Sequence, residues 1–415
     1  MATRDIKTLV FADWVEGSKP ILMGSLFYDH IRSADVFRFE YDPNWLASPY
    51  GISSLDPGLG LYSGPQFADN DKNFRVFLDS CPDTWGRLLM RRREAALARQ
   101  QERQEQRLTE IDYLLGVHDA NRMGGLRFKS EKSGNFLNDV NDMTAPPLTK
   151  LRALEHAASR VEDDDFVSDP DYTKWLSLLI SPGSSLGGAR PKANVSDEGQ
   201  LWIAKFPAKN DRTNIGLWEY VTYKMAIAAK IHMAESRAEK YASDYHTFLT
   251  KRFDRKLTQR IHFSSAMTQL EYYDGEEGAS YLDLAEFIAN NSCQSNQDLR
   301  QLWRRIVFNI AVSNTDDHLR NHGFIWAGNS WILSPAYDIN PSTDKNHLHL
   351  NITENAAYLD FNLAFEIINE FRITREEAND IYDEVLSVVA KWKDYATAEG
   401  LNRSQIDAMS LAFNV

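Results

Sequence analysis

With 415 residues and 43% apolar composition the chain can bury more than one core, and no apolar run in it approaches the length of a membrane span. Met1 to Asp5 lacks the charged-then-apolar start of a signal peptide, and two scattered cysteines, Cys81 and Cys293, are too few for a disulfide framework or a thiolate cage. These features point to a reducing cytoplasm, and a net charge of −13 opposes unaided binding to nucleic acid, so any DNA contact needs a basic partner or a local basic patch.

Up to about residue 70 the pattern is that of short strands, with Phe37, Phe39 and Tyr41 alternating with Arg38 and Glu40. A helix is predicted from Asp83 through Leu88, Leu89 and Ala95, continuing from Arg99 to Arg107 as a solvated face of mixed charge. Gly134 to Pro147 reads as a loop, followed by a helix with Leu148, Leu151, Leu154 and Ala158 at helical spacing, and Glu162 to Asp165 reads as solvated. Lys192 to Val195 and Leu201 to Phe206 flank Ser196-Asp197-Glu198-Gly199, a strand-turn-strand signal, and a helix follows. Beyond Asp254 the chain reads as mainly helical, broken by short strands at Gly323 to Trp326 and Trp331 to Leu333. Near the end, Thr374 and Glu377 form a capping box ahead of Ile381, Val385, Val388 and Trp392.

The residues that carry chemistry lie late in the chain. Asp316 and Asn321 are five apart in Asn314-Thr315-Asp316-Asp317-His318-Leu319-Arg320-Asn321, and Asp338 follows after Tyr337. That is the layout of a phosphotransferase centre: a base aspartate, a metal-binding asparagine after it, and a second metal-binding aspartate. The helix with Leu299, Leu302, Ile306, Val307 and Ile310 is expected to deliver Asp316 at its C-terminal end. Lys205, in Leu201-Trp202-Ile203-Ala204-Lys205-Phe206, is a candidate to hold phosphates, with Glu219 as a possible pairing residue; an edge lysine that snorkels to solvent is the plainer reading. The run Ser184-Ser185-Leu186-Gly187-Gly188-Ala189-Arg190-Pro191-Lys192 has small residues that let backbone amides approach phosphate, but neither standard phosphate-loop fingerprint. A competing reading puts a transition metal on Asp317, His318 and His322 for phosphate-ester hydrolysis.

Assembled in this order, the residues resemble the HipA family of serine/threonine kinases, the toxin halves of bacterial toxin–antitoxin pairs. Further pieces that carry the resemblance are Phe74-Arg75-Val76-Phe77, Pro82-Asp83, Leu114-Leu115-Gly116, Gly124-Gly125-Leu126-Arg127-Phe128 and Arg252-Phe253-Asp254-Arg255. The resemblance implies a two-lobed α/β (α+β) kinase-like fold, with a β-rich subdomain over 1–130, the rest of a mixed N-terminal lobe over 131–254 and a helical C-terminal lobe over 255–415. It implies Asp316 as catalytic base and Asn321 and Asp338 as magnesium ligands. ATP would meet Gly187, Gly188, Ala189, Arg190, Pro191, Lys192, Lys205, His318 and Tyr337, and a hinge at Lys251, Arg252 and Phe253 working largely through backbone groups. Ser185, or its neighbour Ser184, falls where the family autophosphorylates. A HipB-like DNA-binding antitoxin as partner, operator DNA reached only through it, and a protein substrate of the aminoacyl-tRNA synthetase kind are further implications. Asp317 departs from the small residue often found after the base. A kinase fold acting only as a corepressor is the non-enzymatic alternative.

Overall fold

The computed structural model describes residues 5–15, 19–31, 34–52, 55–69, 72–139, 145–163, 171–180, 188–344 and 346–415. They form two compact units, 1–209 with 252–264 and 210–251 with 265–415. The boundary expected at residue 254 thus falls inside a short segment that returns to the first unit.

The first unit holds an antiparallel sheet of β1 (Asp5–Ala12), β2 (Ile21–Ile31), β3 (Ala34–Tyr41), β4 (Gln66–Phe67) and β5 (Leu126–Lys129), in the order β4-β3-β2-β1-β5. The period-two pattern of β3 places Phe37, Phe39 and Tyr41 inside, with Phe37 opposite Tyr28 and Phe39 opposite Leu26. Phe39 packs against Phe74 and Phe77, and Phe77 against Phe128, so an aromatic layer joins the sheet to the segment after it. Gly125 lies so close to Trp14 that a Cβ there would sit 2.6 Å from the indole.

Asp83 caps the helix Thr84–Gln100 by accepting from the Gly86 amide at 2.8 Å. This helix stops at Gln100 instead of running on to Arg107. Arg103 turns back to make a bidentate pair with Glu94, and the Gln106 amide donates to the same carboxylate at 2.8 Å. The expected helix over Leu151–Glu162 is present, with Leu151, Leu154, Ala158 and Val161 buried, while Leu148 belongs to a preceding single turn. Glu162 and Asp163 are bonded to Lys209 through its amide at 3.0 Å and its ammonium at 2.7 Å. Residues 164–170 lie outside the described chain.

β6 (Lys192–Asp197) and β7 (Gln200–Lys205) form the predicted hairpin. Its turn residues Glu198 and Gly199 have φ of 47° and 75°, the left-handed pair that matches strand twist in a two-residue hairpin.

In the second unit the helix Ile215–Ala228 is apolar nearly all round and accordingly buried through Leu217, Trp218, Val221 and Met225. Trp218 meets Trp392 and Phe413, whose rings stack 4.2 Å apart. A hairpin of β8 (Ser236–Glu239) and β9 (Thr247–Lys251) belongs to this unit, and Gly216 touches its leading edge, where a Cβ would lie 2.1 Å from the His246 carbonyl oxygen. The central helix Ser295–Ala311 buries Leu299, Leu302, Trp303, Ile306, Val307 and Ile310, as its periodicity predicts. Asp298 on its first turn accepts from the Leu333 amide at 2.9 Å, anchoring the hairpin of Gly323–Trp326 and Trp331–Leu333. The capping box of Thr374 and Glu377 starts the helix Arg375–Val389, whose buried stripe is Ala378, Ile381, Val385 and Val389. Val388 is half-buried and Trp392 opens the next helix, Trp392–Ala398. No helix among the described residues is long and apolar enough to cross a membrane.

Candidate active site

The central helix ends at Ala311, and the chain then turns through Ser313 at φ 49°. Asn314 locks this turn: its amide hydrogen goes to the Asn309 carbonyl at 2.9 Å and its side-chain nitrogen to Asn309 Oδ1 at 3.1 Å. Next along the chain, Asp316 is exposed and Asp317 is buried. The Asp317 carboxylate accepts from Asn309 Nδ2 at 2.8 Å, from the Tyr281 hydroxyl, and is 2.9 Å from His322 Nε2. Burial alone raises the pKa of Asp317, but His322 and the hydrogen bonds from His322 and Tyr281 outweigh it, so the group is held below the usual carboxylate range. The two adjacent aspartates therefore differ in kind. Asp317 ties the loop to the core. Asp316 is presented outward from that rigid base.

Asn321 donates from its side-chain nitrogen to the Asp316 carbonyl at 3.2 Å, which tethers its carboxamide to the same loop. The Asp338 segment is bound to the same loop at two points. The Tyr337 hydroxyl donates to the Arg320 carbonyl at 2.8 Å, and the Asn340 amide donates to Asn314 Oδ1 at 3.2 Å. Asp338 itself has φ 60° and accepts from Asn340 Nδ2 at 3.0 Å. From the other side, Arg305 donates to the Ser334 carbonyl at 2.6 Å, and the Ala336 amide donates to the His232 carbonyl at 2.8 Å. His318 lies among these groups: burial and then Arg320 lower its pKa, while Asp316, Asp338 and Asp317 all pull the other way. Asp316, Asn321, Asp338, His318 and Tyr337 are thus gathered in the second unit. Their oxygen donors, a carboxamide and carboxylates, are the hard kind that magnesium takes.

The hydrolytic alternative fares differently. His318 and His322 flank the short turn Leu319–Asn321 and share no helix face, and His322 is turned inward to Asp317. Among the described residues, no group of three histidine, cysteine or acidic side chains is placed to hold a metal.

The first unit carries the other candidates. Lys192 and Lys205 are directly opposite each other in the β6–β7 ladder, so their side chains leave the same face. Lys192 is 1% exposed, and its ammonium bonds Asp83 and the Gly188 carbonyl, each at 2.7 Å. It therefore fastens the chain at Gly188 to the start of the 84–100 helix. Trp85 adds a bond to the Lys192 carbonyl at 3.0 Å. Lys205 is 8% exposed. Gly188 and Arg190 are half-buried, Ala189 is exposed and Pro191 is buried, whereas Ser184, Ser185 and Gly187 lie outside the described residues.

At the expected hinge, Lys251 belongs to the second unit, where its amide donates to the Glu235 carbonyl at 2.7 Å and its ammonium is 3.2 Å from the Glu235 carboxylate. Arg252 and Phe253 belong to the first, with the Phe253 ring 5.9 Å from that of Phe263. The Arg252 guanidinium is committed inward to the carbonyls of Asn121 and Arg122, to Asn194 Oδ1 at 3.0 Å and to both oxygens of Asp254. Asp254 also accepts from the Gly124 amide at 2.8 Å and from Arg255 at 2.5 Å. Burial works to raise its pKa, yet Arg252 and Arg255 hold it down at about 2. The Arg-Phe-Asp-Arg run is thus a structural clamp on the 119–124 loop. Asp83, Asn194, Asn309, Tyr281 and Asn340 complete these arrangements, and none was marked by local pattern except Asp83, at its helix start.

With this geometry in view, the comparisons with known proteins are specific. Residues 184–392, just over half of the chain, match the HipA-like C-terminal domain. The chain belongs to the HipA-like family. A Haemophilus influenzae protein assigned as a kinase is 27% identical over 225 residues, 46% of this chain and 65% of that protein. The Sinorhizobium fredii protein Y4mE, also assigned as a kinase, is 26% identical over 148 residues, a third of each chain. Both matches thus span less than two thirds of the relative. The HipA of Shewanella oneidensis MR-1, solved with HipB and its operator DNA, shares the fold with a TM-score of 0.66 at 15% identity, over 97% of this chain and 94% of that one. The expected mixed α/β, HipA-type kinase-like fold is the one observed.

Proposed function

We propose that this HipA-like protein is a serine/threonine protein kinase that transfers the γ-phosphoryl group of ATP to a protein hydroxyl. The observation that carries the reading is the contrast within one loop, where an exposed Asp316 stands on a base locked by buried Asn314 and Asp317, with Asn321 and the Asp338 segment bonded to it. In the transfer, the acceptor oxygen forms a bond to the γ-phosphorus, the bond to the β-phosphate bridging oxygen breaks, ADP leaves, and Asp316 takes the hydroxyl proton. Magnesium, when bound, neutralises phosphate charge, and Asn321 and Asp338 are the residues to hold it. Lys205 and the backbone of 187–192 are assigned to the phosphates, with Lys192 positioning that backbone through Asp83 and Gly188.

Family membership and the solved Shewanella complex support a HipB-like antitoxin as partner, with operator DNA reached through it. The acidic surface charge fits a basic partner. An aminoacyl-tRNA synthetase as target, and self-modification at Ser184 or Ser185, complete the proposal. Incubation with γ-labelled ATP and Mg²⁺, followed by mass-spectrometric mapping, tests it. Label is expected on the 184–185 segment, and Asp316→Asn is expected to slow incorporation at least about 100-fold. Undiminished labelling by Asp316→Asn would remove Asp316 as base.

A further inference from the structure

A helix leaves its last four carbonyls without partners of its own, and the helix Ser295–Ala311 ends just before the loop that bears Asp316. Two of these carbonyls are met locally, Phe308 by the Val312 amide and Asn309 by the Asn314 amide, each at 2.9 Å. The Ile310 carbonyl receives the Ser313 amide at a long 3.3 Å. The remaining bonds come from far along the chain. The Asn414 amide donates to the Ala311 carbonyl at 2.8 Å, and the Asn414 side-chain nitrogen donates to the Ile310 carbonyl at 2.7 Å and to the Ser313 hydroxyl oxygen at 3.1 Å. Ser313 is the residue whose φ of 49° turns the chain toward Asp316, a conformation that persists outside glycine only where the surroundings impose it. Asn414 is itself well placed to impose it. Ala412 and Phe413 before it are buried, with the Phe413 ring stacked on Trp392, whereas Leu411 and Val415 are exposed, so the segment dips into the second unit at 412–414.

Resting on the kinase reading above, we infer that Asn414 is a positioning residue for phosphoryl transfer: it fixes the turn at Ser313 and thereby the place of Asp316, three residues on. In this role Asn414 touches neither nucleotide nor acceptor, so its loss slows the transfer step and leaves the affinity for ATP alone. A displacement of about 1 Å at a reacting group costs on the order of 100-fold, which is the ceiling of the effect.

Two measurements on the full chain test this: the rate of self-labelling from γ-labelled ATP and Mg²⁺ across ATP concentrations, and amide hydrogen exchange, which needs no activity. Asn414→Ala is expected to lower the limiting rate about tenfold with the half-saturating ATP concentration within about twofold of wild type. Exchange at 313–317 is expected to quicken at least about tenfold while that of the helix Arg375–Val389 stays unchanged. Val415→Ala is expected to match wild type in both. Ser313→Ala, which spares the two bonds to the helix end, is expected to slow labelling about two- to threefold and to add less than about twofold to Asn414→Ala, because the two changes break the same link. Unchanged exchange at 313–317 in Asn414→Ala overturns the inference. So do exchange that rises equally in the 375–389 helix, a loss of rate matched by an equal loss of ATP affinity, and full multiplication of the Ser313→Ala and Asn414→Ala effects. Local exchange at 313–317 that quickens in a protein whose wild type transfers no phosphate to itself or to any acceptor defeats the kinase reading and leaves the tether standing.

Discussion

Replacing Asp254 by asparagine keeps the shape of the side chain and removes one charge from a site where two guanidinium groups depend on it. The carboxylate takes four donors, from Gly124, Arg255 and twice from Arg252, and it is fully buried. Breaking a buried ion pair by removing one partner destabilises by about 3–5 kcal/mol, because the remaining charge has neither water nor a counterion. In a unit of roughly 200 residues each kcal/mol corresponds to about 2–4 °C, so the melting transition of the first unit is expected to fall by about 6–20 °C. The same carboxylate sets a pH dependence. Its folded pKa of about 2 lies below the ordinary value near 4, so between those limits the unfolded chain binds more protons and the wild type loses stability as the pH falls. The loss amounts to roughly 2 kcal/mol across that window at 1.36 kcal/mol per pKa unit. Asp254→Asn lacks this contribution, so the gap between wild type and variant is expected to narrow by that amount from pH 5 to pH 2. Paired urea titrations of the two proteins at several pH values measure it. A gap under about 1 kcal/mol at pH 7, or one that does not change with pH, refutes the clamp as described.

Lys192→Met removes the ammonium partner of Asp83, whose carboxylate still caps the Gly86 amide, and is expected to destabilise by about 3–5 kcal/mol in urea unfolding. It should also raise proteolysis at 188–191, and unchanged cleavage there would count against Lys192 as the fastener of Gly188. Tyr281→Phe removes one donor from Asp317 and should lower stability by about 1–3 kcal/mol, read as a shift in the urea midpoint at constant slope. Gly216→Ala forces a methyl into the His246 carbonyl oxygen, and calorimetry is expected to show a loss of about 1–3 kcal/mol or more.

What was legible from the chain alone was whatever is decided locally. The Glu198-Gly199 turn, the Thr374 cap and the apolar stripe that carries Asp316 each depend on neighbours within one or two turns, and all three are present. The spacing of Asp316, Asn321 and Asp338 was readable for the same reason, since a short loop and a short hairpin bring them to one place. Partner choice across long stretches was not readable. Nothing near Lys192 in the chain marks Asp83, 109 residues earlier, as the partner of its ammonium. Arg252 enters the sequence reading only as a backbone contact of the hinge, and nothing near it in the chain shows that its guanidinium goes to the carbonyl of Asn121, 131 residues earlier. Asp317 and Asp316 are indistinguishable as letters. Only the tertiary positions of Tyr281 and Asn309 make one structural and leave the other exposed. Two smaller misreadings share one cause, because periodicity marks a helix better than its end: the helix predicted to reach Arg107 stops at Gln100, and Val389 is buried in place of Val388.

Neither unit is a continuous piece of chain, and this bears on synthesis. The first unit cannot close when residue 209 leaves the ribosome, because the arginines and aspartate that grip its 119–124 loop arrive with 252–264. At about 5–20 residues per second that interval lasts roughly 3–11 s, during which the carbonyls of Asn121 and Arg122 lack the guanidinium donors that arrive with 252–264. Cutting the gene at any single point between 209 and 264 should therefore yield two fragments that each lack a closing piece, and soluble halves are expected only when the missing segment is supplied in trans.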